Sequence, residues 1–190
     1  MTEAFCAGTG AFDGHPLPVR LPSPPVMSDY RLATRSQAGA EDLLRRLGAL
    51  GEIERAVIRH CEATAPTPTY KPQEIKRWLR PDGWEPEKRV LAFSPDWDHL
   101  RINERYDLFK EFGSGDESAG VAIEIERWEI HNDLLKFRRG LNRGMIVAGV
   151  LLHDGPANLT YCFNHARHLS EPLFGDIPLV FCAPEGPGIT

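Results

Sequence analysis

The sequence lacks the features that mark a metal-thiolate protein, a membrane protein or a general nucleic-acid coat. Its four cysteines are scattered, with no CxxC or Cys/His spacing typical of a zinc site or disulfide framework, so we expect free thiols. No run approaches the roughly 20 apolar residues that cross a bilayer, and no secretory signal pattern is present. A net charge of -5 disfavours non-specific coating of phosphates. We therefore expect a cytoplasmic protein.

The composition suits one compact domain. A chain of 190 residues with 42% hydrophobic residues can bury an adequate core without disulfides or structural metal. Residues 1–26 are rich in Pro and Gly and poor in large apolar side chains, which predicts a flexible segment. Denser sequence follows, and a single domain is predicted over residues 27–190. Met27 is an alternative to Met1 as the start of translation.

The spacing of apolar residues changes along the chain, from a helical pattern in the first half to mainly strand patterns in the second. From Ser36 to Ala65 apolar residues recur every three or four positions, which predicts one long amphipathic helix, or two with a break at Gly51. A short helix is predicted from Pro72 to Leu79. The remaining pattern predicts a helix over 130–141 and strands over 88–93, 106–112, 120–127, 145–152 and 177–182. The fold class that follows is α/β, a mixed central β-sheet flanked by helices.

Glu124 and Glu126 are candidate metal ligands. They alternate with Ile123 and Ile125, so on a strand both carboxylates project from one face, roughly 7 Å apart at their Cα atoms. Phosphodiester hydrolysis needs an attacking water and neutralisation of charge on the phosphoryl oxygens, and Mg²⁺ supplies both when carboxylates converge on it. An amphipathic strand whose acids face solvent would carry the same pattern, so these residues alone leave both interpretations open.

The surrounding sequence adds a family resemblance. The segment from Tyr106 to Phe112 (Tyr-Asp-Leu-Phe-Lys-Glu-Phe), a short polar hairpin, and the segment from Val121 to Glu126 (Val-Ala-Ile-Glu-Ile-Glu) resemble the BamHI and BglII group of type II restriction endonucleases. That group belongs to the PD-(D/E)xK nuclease superfamily. The resemblance covers about residues 84–182 and implies a restriction-endonuclease-like core with Mg²⁺ as cofactor.

The resemblance implies roles for individual residues. Asp107 and Glu124 would bind Mg²⁺, with the backbone carbonyl of Ile125 as a further ligand. Glu126 stands where most of the superfamily has lysine, and it would orient or deprotonate the attacking water or contact a second metal ion. A glutamate there removes a positive charge, so a second cation would be easier to accommodate.

A further acid is implied upstream. Glu87 looks like the additional acidic residue of the resembling enzymes. A surface salt bridge with Lys88 or Arg89 is an equal alternative, since neighbouring opposite charges commonly pair without functional consequence.

Candidate DNA-contacting residues fall into two groups. The first lies on the predicted 130–141 helix, which in the resembling enzymes helps to form a homodimer. Its basic residues would approach phosphate, with a solvated basic face as the alternative, and His131 and Asn132 just after the catalytic strand are candidates for reading bases. The second lies between two buried strands, where DNA-reading loops are usual. The candidates are His131, Asn132, Lys136, Arg139, Asn164, His165, Arg167 and His168.

The function expected from the sequence is that of a type II restriction endonuclease. It would be a homodimer that hydrolyses double-stranded DNA with Mg²⁺ at a specific, palindromic site, with no membrane involvement. Two alternatives stay open: a structure-selective repair or defence nuclease of the same superfamily, and a catalytically inactive DNA-binding relative.

Overall fold

The computed structural model describes residues 28–64, 71–89, 105–113, 117–125 and 130–189. Within these ranges the chain is a mixed α/β structure, with a six-stranded sheet covered by helices, which confirms the expected fold class at that level. The predicted flexible segment 1–26 lies outside the described residues, as do positions 90–93 of one predicted strand.

The described ranges contain six strands and five α-helices. The strands are β1 (Arg31–Gln37), β2 (Glu85–Arg89), β3 (Arg105–Phe112), β4 (Ala119–Ile125), β5 (Ala148–Leu152) and β6 (Leu179–Glu185). The α-helices are α1 (Ala40–Leu47), α2 (Ala49–Thr64), α3 (Lys76–Leu79), α4 (Ile130–Asn142) and α5 (Pro156–Phe174). Short 3-10 turns at Pro72–Ile75 and Arg80–Asp82 flank α3.

The sheet has the strand order β1-β6-β5-β4-β3-β2. Strands β2, β3 and β4 form an antiparallel meander, β5 lies parallel to β4, β6 lies parallel to β5, and β1 closes the other edge antiparallel to β6. The crossovers through α4 and α5 are what the two parallel pairings require. The predicted helix and apolar strand after β4 are therefore both present.

Two hydrophobic clusters cover the two faces of the sheet. One contains residues of α1, α2 and α3 against alternate residues of β4, β5 and β6, for example Ile123, Val150 and Val180. The other contains residues of α4 and α5 against the intervening positions, for example Ala122 and Leu151. The sheet is thus buried on both sides, which explains its near-continuous apolar strands.

Three features differ from the sequence prediction. The break in the first helical region falls at Gly48, which has a φ of 81° and ends α1, whereas Gly51 lies inside α2. Strand β1 was missed because Arg31–Gln37 is a polar edge strand without apolar alternation. The segment 158–170, where a DNA-reading loop was expected, lies within the 19-residue helix α5, whose residues Leu159, Cys162 and Ala166 are buried at helical spacing.

None of the helices in the described ranges combines the length and the apolar character of a membrane span.

Gly120 on β4 allows the loop after α4 to lie against the meander. A Cβ atom there would lie 1.9 Å from the backbone oxygen of Met145, and backbone cannot yield as a flexible side chain does. We expect Gly120→Ala to lower the free energy of unfolding by about 3 kcal/mol, at the upper end of overpacking costs. Urea unfolding of wild type and variant measures this loss.

Gly51→Ala is the matched control. Gly51 lies in α2, and a Cβ atom there would meet only the side chain of Arg55 at 3.6 Å. Since alanine is the better helix former, this variant should be about 0.5–1 kcal/mol more stable than wild type. Equal urea midpoints for the two glycine variants would contradict the packing described for Gly120.

Candidate functional site

The carboxylate of Asp107 is held from two sides. Its Oδ2 accepts a hydrogen bond from the backbone N–H of Ile125 at 2.8 Å, and its Oδ1 lies 2.6 Å from Nζ of Lys76. In a regular strand Tyr106 and Leu108 would share a face, but here they pack into the two opposite clusters. The regular alternation of β3 is therefore interrupted at Asp107, beside the end of β4.

Glu87 lies across from Asp107 on the edge strand β2. The flanking pairs are Pro86 with Leu108 and Lys88 with Tyr106. Glu87 has a φ of 57°, a left-handed conformation that costs on the order of 1–3 kcal/mol for a residue other than glycine. The sheet is therefore distorted on both strands at this level.

Lys76 joins these two acids. Its Nζ lies 3.2 Å from Oε1 of Glu87 as well as 2.6 Å from Asp107, and its side chain is only 16% exposed. Burial alone would lower the pKa of Lys76, but hydrogen bonds and charges from Asp107 and Glu87 outweigh burial and raise it. Lys88, one of the pairing partners that the sequence suggested for Glu87, contacts Glu85 instead at 3.0 Å.

Glu124 lies under α4 and is 4% exposed. Its Oε1 is 2.8 Å from Nζ of Lys136, and the same ammonium group lies 2.6 Å from Oδ1 of Asp133. Burial lowers the pKa of Lys136, but the two carboxylates more than compensate and raise it. Tyr106 packs nearby, and burial together with the charge of Glu124 raises the pKa of its hydroxyl.

Asp107 and Glu124 are neighbours in the sheet. Leu108 pairs with Ile123 at the end of the antiparallel ladder, and Asp107 and Glu124 are the residues adjoining that last pair on β3 and β4. Their carboxylates nevertheless contact different lysines, one from α3 and one from α4. The strands bring the two expected metal ligands to the same level of the sheet, and the helices on opposite faces supply a separate cation to each.

The donor set suits a hard divalent ion. Carboxylate oxygens are the ligands that Mg²⁺ prefers, and it commonly binds through one or two of them plus water and substrate phosphate. Asp107 and Glu87 already converge on one cationic group. Across the described ranges no cluster of three or more His, Cys, Asp and Glu side chains is placed to hold a metal. Glu126, the remaining predicted acid, lies outside those ranges.

The expected DNA-contacting residues separate into two environments. His131 of α4 and His165 of α5 meet with ring centroids 5.6 Å apart, and Tyr161 stacks on His165 at 5.7 Å. Lys136, in contrast, directs its ammonium group into the acidic pair beneath α4. Exposed side chains of the expected set are His131, Asn132, Asn164, Arg167 and His168, whereas His165 and Arg139 are half-buried.

Sequence reasoning missed two residues of this site. Lys76 lies 31 positions before Asp107 in the chain, in a segment whose pattern predicts only a short helix, so no local signal marks it. Asp133 is three residues before Lys136 on one helix, and that spacing could have indicated the pair.

No family model and no curated protein matches this sequence.

Proposed function

We propose that this protein is a Mg²⁺-dependent endonuclease that hydrolyses double-stranded DNA at a specific site, in the manner of type II restriction enzymes. The observation that carries the proposal is the hydrogen bond from the backbone N–H of Ile125 to the Asp107 carboxylate, which brings Asp107 to the end of β4 beside Glu124. The distorted sheet at Glu87 and the helix and parallel strand after β4 support it further.

Each residue has a role in the proposed reaction. Asp107 and Glu124 would hold Mg²⁺, with Glu87 and the carbonyl of Ile125 as further oxygen ligands. Glu124 would first have to leave Lys136, which it contacts on the face of the sheet opposite to Lys76. The ion would neutralise charge on the phosphoryl oxygens and make its bound water more acidic. Glu126 would accept the proton of the attacking water. The water oxygen would bond to phosphorus as the bond to the 3′ oxygen breaks, leaving a 5′-phosphate and a 3′-hydroxyl.

A homodimer is part of the proposal, because two copies related by a two-fold axis can cut both strands of a palindrome. The α4 and α5 surface offers a contact area for a second copy. Leu135 on α4 and Tyr161 on α5 are 40% and 60% exposed, and they are the exposed large hydrophobic residues of the described chain. Analytical ultracentrifugation should give about twice the chain mass of 21.3 kDa. A monomer at the concentration used for cleavage would contradict the proposed homodimer.

Incubation with plasmid and phage DNA of known sequence tests the function directly. With Mg²⁺ we expect discrete fragments on a gel, and with EDTA no cutting, because the carboxylates require the ion to approach a phosphate. Mapping the fragment ends would give the recognition site. A smear would favour the structure-selective nuclease. Absence of cutting with retained binding to linear or branched DNA would favour the inactive DNA-binding relative.

A further inference from the structure

Lys76 occupies the position between two acids of the proposed metal site. Its ammonium group lies 2.6 Å from Asp107 and 3.2 Å from Glu87, and its side chain is 16% exposed. Lys88, on β2 like Glu87, serves for comparison. Its side chain is 39% exposed and pairs with a single acid, Glu85, as is usual for a surface lysine. The cation at Asp107 is therefore shared between two carboxylates and partly withdrawn from solvent.

The ammonium group of Lys76 lies where a cation shared by the two acids would lie. It contacts Oδ1 of Asp107 and Oε1 of Glu87, while Oδ2 of Asp107 accepts a hydrogen bond from the backbone N–H of Ile125. A divalent ion bound between the same two carboxylates would lie within a few ångströms of this ammonium group and be repelled by it. Metal binding between Asp107 and Glu87 is therefore opposed by Lys76 as long as the lysine keeps both contacts.

We propose that Lys76 is a built-in cation that holds Asp107 and Glu87 together in the metal-free chain and competes with the divalent ion for them. This inference rests on the metal site of the proposed function. Without metal, the lysine offsets the repulsion between the two carboxylates. When metal binds, the lysine gives up both contacts, and its flexible four-carbon stem lets the ammonium group move toward solvent or a nearby phosphate.

A Lys76→Met variant separates competition from simple support. If the lysine competes, its removal should tighten binding of Mn²⁺ about three- to tenfold, the range expected for loss of one partly screened ion pair. If the lysine merely supports the local structure, its removal should loosen the site and weaken Mn²⁺ binding. Isothermal titration calorimetry with Mn²⁺ and no DNA measures the affinity directly.

Two further variants complete the experiment. Lys76→Arg keeps the charge and should not bind Mn²⁺ more tightly than wild type. Lys88→Met removes a lysine from the same edge of the sheet without touching Asp107, so it should change the affinity less than twofold, which controls for net charge. The melting temperature of Lys76→Met should fall without metal and recover with Mn²⁺, because the ion replaces the missing cation between the acids.

The outcomes distinguish this inference from the proposed function. Unchanged or weaker Mn²⁺ binding by folded Lys76→Met would overturn the competition while leaving the nuclease untouched. Failure of both wild type and Lys76→Met to bind Mn²⁺ at millimolar concentrations would overturn both. If Lys76→Met binds Mn²⁺ more tightly but the wild type cuts no DNA, the competition stands and the nuclease proposal fails.

Discussion

Asp107→Asn is expected to lower the rate of Mg²⁺-dependent DNA cleavage by about 100-fold to 1000-fold. A metal ion contributes several kcal/mol to stabilising charge in such a reaction, and each 1.4 kcal/mol changes the rate about tenfold. Asparagine keeps the size of the side chain and an oxygen that can accept the hydrogen bond of Ile125. The loss should therefore come from the charge at the site, and a time course of plasmid cleavage measures it.

Asp176→Asn is the control for this prediction. Asp176 is 73% exposed and pairs with Arg138, away from Asp107. Its replacement should leave the cleavage rate within about twofold of wild type, because exposed ion pairs contribute little. Cleavage by Asp107→Asn at the wild-type rate would contradict the proposed role of Asp107 as a metal ligand.

Glu124 is best tested with glutamine rather than alanine. The side chain is 4% exposed and contacts Lys136, so alanine would remove packing and an ion pair together. Glu124→Gln preserves the shape and should show a loss of cleavage similar to that of Asp107→Asn. Circular dichroism and urea unfolding would verify that the chain stays folded.

Lys136→Met is expected to lower the free energy of unfolding by about 3–5 kcal/mol, the cost of breaking a buried ion pair by removing one partner. Methionine retains much of the apolar stem, so the loss comes mainly from the ammonium group. Without it, Glu124 and Asp133, which are 5% and 6% exposed at their side chains, lose a shared cation and repel each other. Urea unfolding at pH 7 gives the difference between variant and wild type.

Arg138→Met is the matched control on the same helix. Arg138 pairs with the exposed Asp176, so its replacement should cost less than about 1 kcal/mol. If Lys136→Met and Arg138→Met lost similar free energies of unfolding, the ion pairs of Lys136 with Glu124 and Asp133 would contribute no more than an exposed pair.

The stability difference between wild type and Lys136→Met should also depend on pH. The pKa of Lys136 is raised in the folded chain because its two acidic partners outweigh burial. Its contribution is therefore fully present below about pH 10.4, the pKa of an unfolded lysine, and is lost as pH rises through the higher folded pKa. Lys76 and Tyr106 titrate in both proteins, so the shrinking difference above about pH 10.5 isolates Lys136. A difference that grows in that range would contradict the assigned ion pair.

Much of the sheet could be predicted from local pattern. Continuous apolar runs marked β5 and β6, and the alternation around Ile123 marked β4, because a buried strand needs apolar side chains wherever it meets a helix. The polar edge strand Arg31–Gln37 could not be found this way, since its partner β6 lies about 150 residues later and its side chains are mostly not buried. The sequence pattern does not reveal helix α5, because its buried stripe of Leu159, Cys162 and Ala166 is narrow among polar residues.

The sequence by itself indicated helices α1, α2 and α4, strands β3 to β6 and, through the family resemblance, which acids are candidates for metal binding. The resemblance to the restriction endonucleases points to Asp107, Glu124 and Glu87, and the pairs next to these acids place them near one level of the meander. Only the tertiary structure decided which cation each acid meets. Lys76 reaches Asp107 and Glu87 from α3, and Lys136 reaches Glu124 from α4. Such pairings depend on how helices pack on opposite faces of a sheet, a long-range property that no local spacing of residues encodes.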